Sequence, residues 1–167
     1  MKLYHGGIDI FHEPNLLLGR TDIDFGQGFY LTTLFDQAKR WAVRRSTWKT
    51  NKEAIVNIYN YNKDSDLKYK KFDGYSEEWL DFIVLNRTSK NRPVVVTYDI
   101  IEGNVADDDV INAVDRYVEL LRNGKVTRNI KLGLLDELKF AKPNNQICLK
   151  TATAIKCLKF DKYEVVK

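Results

Sequence analysis

Apolar positions recur along this chain with two periods, and the switches between them predict an alternation of strands and helices. Lys2, Leu3, Tyr4 and His5 read as a short strand, stopped by Gly6 and Gly7. Between positions 22 and 33, polar, glycine and aromatic residues predict a loop that enters a short strand at 29–31. Asp36 is the expected N-cap of a helix through about residue 45, with Ala38, Trp41 and Ala42 on its buried side. β-Branched and aromatic residues predict a strand over 54–61, and a charged loop over 62–74 follows. Ser76 is placed to cap a helix carrying Trp79, Phe82 and Ile83 at helical spacing. After Pro93 the run 94–101 reads as the strongest strand, ended by Gly103.

The strongest helical pattern covers 106–122, where Val110, Ile111, Val114, Tyr117, Val118 and Leu121 form one apolar face. Gly124 supplies its stop. A shorter helix is expected over 130–138. Strands follow at 146–149 and 155–166, with room for a turn of helix at 151–154. Nothing resembles a linker or a repeat, so the pattern predicts one α+β domain over 1–167.

Apolar residues make up 44% and charged residues 30%, with three Pro and nine Gly, which excludes collagen-like, proline-rich and disordered classes. No apolar run approaches the ~20 residues of a membrane-spanning helix. The opening residues lack the apolar stretch of a secretory signal, so the expected setting is the cytoplasm, either the producing cell's or a target cell's after delivery. Cys148 and Cys157 form no disulfide framework and fit a reducing compartment. The net charge is +4, with Lys39, Arg40, Arg44, Arg45, Lys49 and Lys52 close together, Lys68, Lys70 and Lys71 forming a second cluster, and Asp107, Asp108 and Asp109 the clearest acidic run. The first cluster is either a solvated helix face or a phosphate-binding surface, and a basic nucleic-acid-binding protein stays open on that account.

Most familiar chemistries are missing their residues. His5 and His12 stand without a thiolate pair or an H-E-x-x-H spacing, so no metal site is expected. No G-x-S-x-G elbow, P-loop or dinucleotide fingerprint occurs. Two glycine-flanked aromatic segments remain. In Tyr4-His5-Gly6-Gly7, residues without side chains let a ligand approach backbone N–H and C=O groups that can pair with a planar amide. In Phe25-Gly26-Gln27-Gly28-Phe29-Tyr30, a strand presents Phe29 and Tyr30 on opposite faces, and an aromatic ring suits a flat heterocycle.

In this order the two segments resemble the ADP-ribosyltransferase superfamily, on the diphtheria-toxin and poly(ADP-ribose) polymerase side. Those proteins pair an H-G-[ST] strand with a later F-G-x-G-[IF]-Y segment. The whole chain resembles more closely an uncharacterised bacterial family with Y-H-G-[GS], D-F-G-x-G-F-Y-x-T, Q-A-x-x-W-A and Q-I-C-[FL]-x-T. The last two stand here as residues 37–42 and 146–151. The resemblance implies a split β-sandwich with flanking helices and NAD as co-substrate, without a metal. His5 would bond the adenosine-side ribose, the Gly6 backbone would clamp the nicotinamide amide, and Tyr30 would stack on the nicotinamide ring. The implied binding set is His5, Gly6, Gly7, Gly28, Phe29, Tyr30 and Arg20, and the implied catalytic set is His5, Tyr30 and Gln146.

Gln146 stands where the superfamily usually carries a glutamate that steadies the cation formed as nicotinamide leaves. A neutral amide in place of a carboxylate gives up roughly 2–3 kcal/mol of charge-assisted bonding, or about 30- to 150-fold in rate. Asp99 and Glu102 are the acids expected to substitute, if either does. The implied activity is mono-ADP-ribosyl transfer to a macromolecular acceptor, protein or RNA/DNA, in keeping with a bacterial toxin or effector and a neutralising partner protein. The stretch 140–145 would face the acceptor. A module of the same fold that binds NAD or ADP-ribose without turnover is the alternative.

Overall fold

A computed structural model describes residues 1–16, 21, 23–49, 51–88, 97–105, 108–138 and 144–167. Among them the chain forms two β-sheets and five helices, a mixed α+β architecture. The first sheet orders β1 (Lys2–Gly7), β3 (Ala54–Tyr61) and β7 (Leu158–Val166), all antiparallel. The second orders β2 (Phe29–Leu31), β6 (Gln146–Leu149), β5 (Ile100–Gly103) and β4 (Tyr69–Lys71), in which only β4 and β5 run parallel. A single bridge, Tyr4 to Thr32, joins the sheets; each N–H donates to the other's C=O at 2.9 Å.

Side-chain alternation sorts the strands into layers. Leu3, Tyr59 and Tyr61 of the first sheet pack against Phe29, Leu31, Ile147 and Leu149 of the second, forming the core between the sheets. The opposite face of β3, Ala54, Val56 and Ile58, meets Ala38 and Ala42 of α1 (Phe35–Thr47). On the outer face of the second sheet, Phe25 and Cys148 pack with side chains of α2 (Glu77–Thr88), α3 (Asp108–Arg122) and α4 (Arg128–Leu138). Because β3 and β6 are covered on both faces, they read as nearly unbroken apolar runs.

Several boundaries differ from the expected ones. β1 continues through both glycines because it keeps its register with β3 as far as Gly7 opposite Ile55. Helix α1 starts at Phe35 with Leu34 as N-cap, so Asp36 lies in the first turn, where it complements the helix dipole. Trp41 is 45% exposed and not on the buried side. The 62–74 loop contains β4, paired to β5 across a parallel register that alternation in three residues cannot announce. Of the expected strand over 94–101, residues 97–99 are not in a strand and β5 begins only at Ile100; positions 89–96 lie outside the described residues, as do Arg20, Asp107 and 139–143. The helix expected over 106–122 begins at Asp108 among the described residues. The expected strand at 155–166 splits into α5 (Ala152–Lys156), capped by the Thr151 hydroxyl accepting from the Ala154 N–H, and β7. Ser76 does cap α2, accepting from the Trp79 N–H at 3.2 Å.

Candidate functional site

Beyond the Tyr4–Thr32 bridge, β1 and β2 part. Tyr4 directs both its N–H and its C=O toward Thr32, and in an extended strand the residue two further on faces the same way. Gly6 therefore turns its own N–H and C=O away from β3 and into the split between the sheets. Its missing side chain has a separate cause. A Cβ on Gly6 would lie 2.0 Å from the Ala38 carbonyl oxygen and 3.0 Å from the Ala42 nitrogen, so α1 can lie on β1 only over a glycine.

His5 fills the other lip of the split. Its Nδ1–H donates to the Tyr30 carbonyl at 2.7 Å, which fixes the neutral tautomer with Nε2 as an acceptor. The imidazole stacks on Phe29 at 4.6 Å and meets the edge of Phe11 at 5.4 Å. Burial in this aromatic setting lowers its pKa, the Tyr30 bond opposes the shift, and the nearby Arg45 guanidinium adds to it. The ring is thus held neutral, with Nε2 beside Gly7, where an added Cβ would sit 3.4 Å away.

Tyr30 is positioned differently from its expected role. Its hydroxyl donates to the Gly26 carbonyl at 2.6 Å and accepts the Phe25 N–H at 3.0 Å, closing the 25–30 loop on itself. Gly26 allows that closure with φ of +69°. Burial, with Cys148 and Asp24 nearby, raises the phenol pKa well above its ordinary value. The Tyr30 ring packs in the helix-side core, whereas the His5 ring lies against Phe29 on the other face of β2. The two residues meet through the Tyr30 backbone, and the rings share no face. Gly28 serves packing as well, since a Cβ there would overlap the Cys148 sulfur at 2.4 Å.

Gln146 opens β6 on Tyr30's face, two residues before Cys148, which pairs with Tyr30. Its buried amide Nε2 donates to Asp24 Oδ2 at 3.0 Å and to the Asn104 carbonyl at 3.2 Å. Two acceptors on one atom identify that atom as nitrogen and leave the carbonyl Oε1 as the group without a protein partner among the described residues. Asp24 Oδ1 in turn accepts from Arg87 Nη2 at 2.6 Å and Nε at 3.0 Å, and Arg87 Nη1 reaches Asp115 at 3.0 Å. Sequence reasoning leaves Arg87 open as a ligand contact or a solvated charge and misses its pairing with Asp24. Their 63-residue separation hides the pair, although Asp24 leads the D-F-G-x-G segment.

The two acids expected to substitute for a glutamate are engaged elsewhere. Asp99 accepts from the Thr151 hydroxyl at 2.7 Å and the Lys68 N–H at 2.9 Å, which lowers its pKa. Glu102 lies opposite Ile147, bonded to the Tyr69 hydroxyl and 3.2 Å from the Lys71 ammonium. Gln37 of the Q-A-x-x-W-A segment pins the start of β6 instead: its side chain donates to the Asn145 carbonyl at 2.7 Å and accepts the Asn145 N–H at 3.2 Å. Asn145 also receives the Thr32 hydroxyl at 2.7 Å, so α1, β2 and β6 are tied together at the split.

A family model described as "Protein of unknown function (DUF3990)" matches residues 1–160. The chain belongs to this family. No curated protein and no solved structure matches it. The DUF3990 match takes in the split, α1 and the Asp24–Arg87–Gln146 network. Among the described residues, no group of three or more His, Cys, Asp or Glu side chains is gathered for a metal, and no helix is long and apolar enough to cross a membrane.

Proposed function

We propose that this DUF3990 chain is an NAD-dependent mono-ADP-ribosyltransferase with the split β-sandwich of that superfamily. The observation that carries the reading is the Gly6 backbone: an N–H and a C=O turned into the opening between two sheets, beside the neutral His5. A donor and an acceptor on one residue complement a primary carboxamide, which presents one of each. His5 Nε2 accepts a hydrogen bond from a ribose hydroxyl. These groups fit NAD.

NAD, when bound, supplies an ADP-ribosyl group: the ribose C1′–nitrogen bond to nicotinamide breaks, C1′ bonds to an acceptor oxygen or nitrogen, and the acceptor's proton passes to solvent. The chain's contribution is placement and charge. Gln146 Oε1 accepts a hydrogen bond from a ribose hydroxyl, while Nε2 stays anchored on Asp24. Asp24 is the carboxylate bonded to Gln146, and Arg87 offsets much of its charge. The same offset favours the second reading, an NAD-binding module with little turnover.

Incubation with isotopically tagged NAD, followed by mass spectrometry of lysate protein and RNA, tests the proposal. The parent chain is expected to add one ADP-ribose to an acceptor and release nicotinamide, and His5→Ala is expected to do neither. Equal labelling by both would refute the assignment. Tight NAD binding with no nicotinamide release over hours would leave only the module.

A further inference from the structure

The outward face of α1 carries a second feature that the NAD reading does not use. Trp41 and the C-capping Trp48 are seven residues apart, 45% and 57% exposed, with ring centroids 6.0 Å apart and edge to face. The Arg44 guanidinium lies over both indoles, 5.9 Å and 5.3 Å from their centroids. Seven residues of helix place this stripe over about 10 Å. Around it stand Lys39, Arg40, Arg45 and Lys49, none of which forms an ion pair among the described residues; Asp36 is the one acidic residue of the helix. Arg45 stands three residues beyond Ala42, whose backbone nitrogen abuts Gly6, so this basic face begins at the split.

We infer that the stripe Trp41–Arg44–Trp48 and its flanking cations form a docking surface for single-stranded nucleic acid, RNA or DNA, leading to the Gly6–His5 opening. The chemistry is paired: indole and guanidinium planes stack on unpaired bases, and the surrounding cations hold the phosphates. A duplex hides its base faces and does not fit this arrangement. A lipid surface fits poorly as well, because the apolar side of α1 is already spent on β1 and β3 through Ala38 and Ala42, leaving two indoles and no apolar face to insert. An acidic peptide would meet the cations but leave the rings without planar partners. Binding by this surface stands on α1 alone; its meaning as the acceptor's surface rests on the transferase reading.

Fluorescence anisotropy with labelled 12-nucleotide single-stranded RNA, the same sequence as DNA, and the corresponding duplex tests the inference without NAD. Three or so phosphate contacts give a salt slope near −2, or about a 20-fold loss of affinity from 50 to 200 mM salt. Trp48→Ala is expected to weaken single-strand binding about tenfold or more, and Lys49→Gln to weaken it modestly and flatten the salt slope. Thermal melting of both variants should match the parent, because both side chains are exposed. The inference is overturned by absence of single-strand binding at 50 mM salt, by equal binding of duplex, or by Trp48→Ala binding as the parent does. Capture on anionic phosphatidylserine vesicles, lost in Trp48→Ala while oligonucleotide binding is unchanged, overturns it in favour of a membrane. The RNA and DNA arms identify the preferred strand. Single-strand binding without any NAD labelling refutes the transferase reading alone.

Discussion

Gly6 and Gly7 are adjacent, yet replacing each with alanine should have opposite consequences. At Gly6 the new Cβ would lie 2.0 Å from the Ala38 oxygen, 2.9 Å from its carbonyl carbon and 3.0 Å from the Ala42 nitrogen. All three are backbone atoms, so no rotamer change relieves the overlap and α1 must move away from β1. Overpacking of this kind costs about 3 kcal/mol, the upper part of its usual range. For a chain of this length each kcal/mol is worth about 2–4 °C, so Gly6→Ala is expected to melt about 6–12 °C below the parent. At Gly7 the new Cβ meets His5 Nε2 at 3.4 Å, an ordinary contact. Alanine also restricts the unfolded chain, so the melting temperature should hold or rise slightly. The added methyl nevertheless occupies the approach to Nε2, and NAD labelling should fall by about tenfold or more. Thermal unfolding by circular dichroism followed by tagged-NAD labelling reads both effects. The reasoning fails if Gly6→Ala melts within about 2 °C of the parent, or if Gly7→Ala keeps full labelling.

Tyr30→Phe retains the ring and removes only the hydroxyl that joins Gly26 and Phe25. It should cost about 1–3 kcal/mol, read by urea unfolding, because a buried donor and acceptor lose their partner. An unchanged midpoint would show that the phenol does not hold the loop. His5 is held neutral by burial, so its folded pKa lies below the ordinary 6.5 while the unfolded chain takes up the proton near that value. The unfolded state then binds more protons below pH 6.5, and this contribution to stability is complete above 6.5 and declines as pH falls toward the folded value. Urea midpoints from pH 7.5 to 5 should therefore fall more steeply for the parent than for His5→Gln; parallel slopes would contradict the shift.

Much of the architecture was legible because burial leaves a mark on single residues. β3 and β6 read as strands because both their faces are covered, and α3 because its apolar stripe is wide. Trp41 was misplaced for the reason that hydrophobic identity does not imply burial: its period matches Ala38, but Ala38 and Ala42 alone suffice where the backbones approach so closely. β4 was missed because its three residues, Tyr69, Lys70 and Lys71, are held by β5 rather than by any pattern of their own. The glycine motifs pointed to the split, yet glycine reports only that something is close. At Gly6 and Gly28 that neighbour is the chain itself, and only the strand register shows that the Gly6 amide also faces the opening. Asp24 and Arg87 were invisible as a pair because ion pairing across 63 residues depends on tertiary packing.

That pair also accounts for the amide at position 146. Gln146 Nε2 sits 3.0 Å from Asp24 Oδ2, so a glutamate there would bring two carboxylates together in a buried place, and one of them would have to take up a proton. Among the described residues the negative charge bonded to this amide stands at 24, paired with Arg87. Gln146→Glu alone is accordingly expected to destabilise the chain near pH 8 and to recover toward pH 5, where the shared proton is supplied. Combined with Asp24→Asn, which turns the acceptor into an amide able to donate, it should be tolerated better than the sum of the two single changes. Measured as a double-mutant cycle by urea unfolding at pH 8, the favourable coupling should be about 1 kcal/mol or more. If the two changes are additive, the network does not determine why glutamine occupies this position. If the coupling is present and the double variant labels with NAD faster than the parent, then the charge at 24 had been standing in for the glutamate.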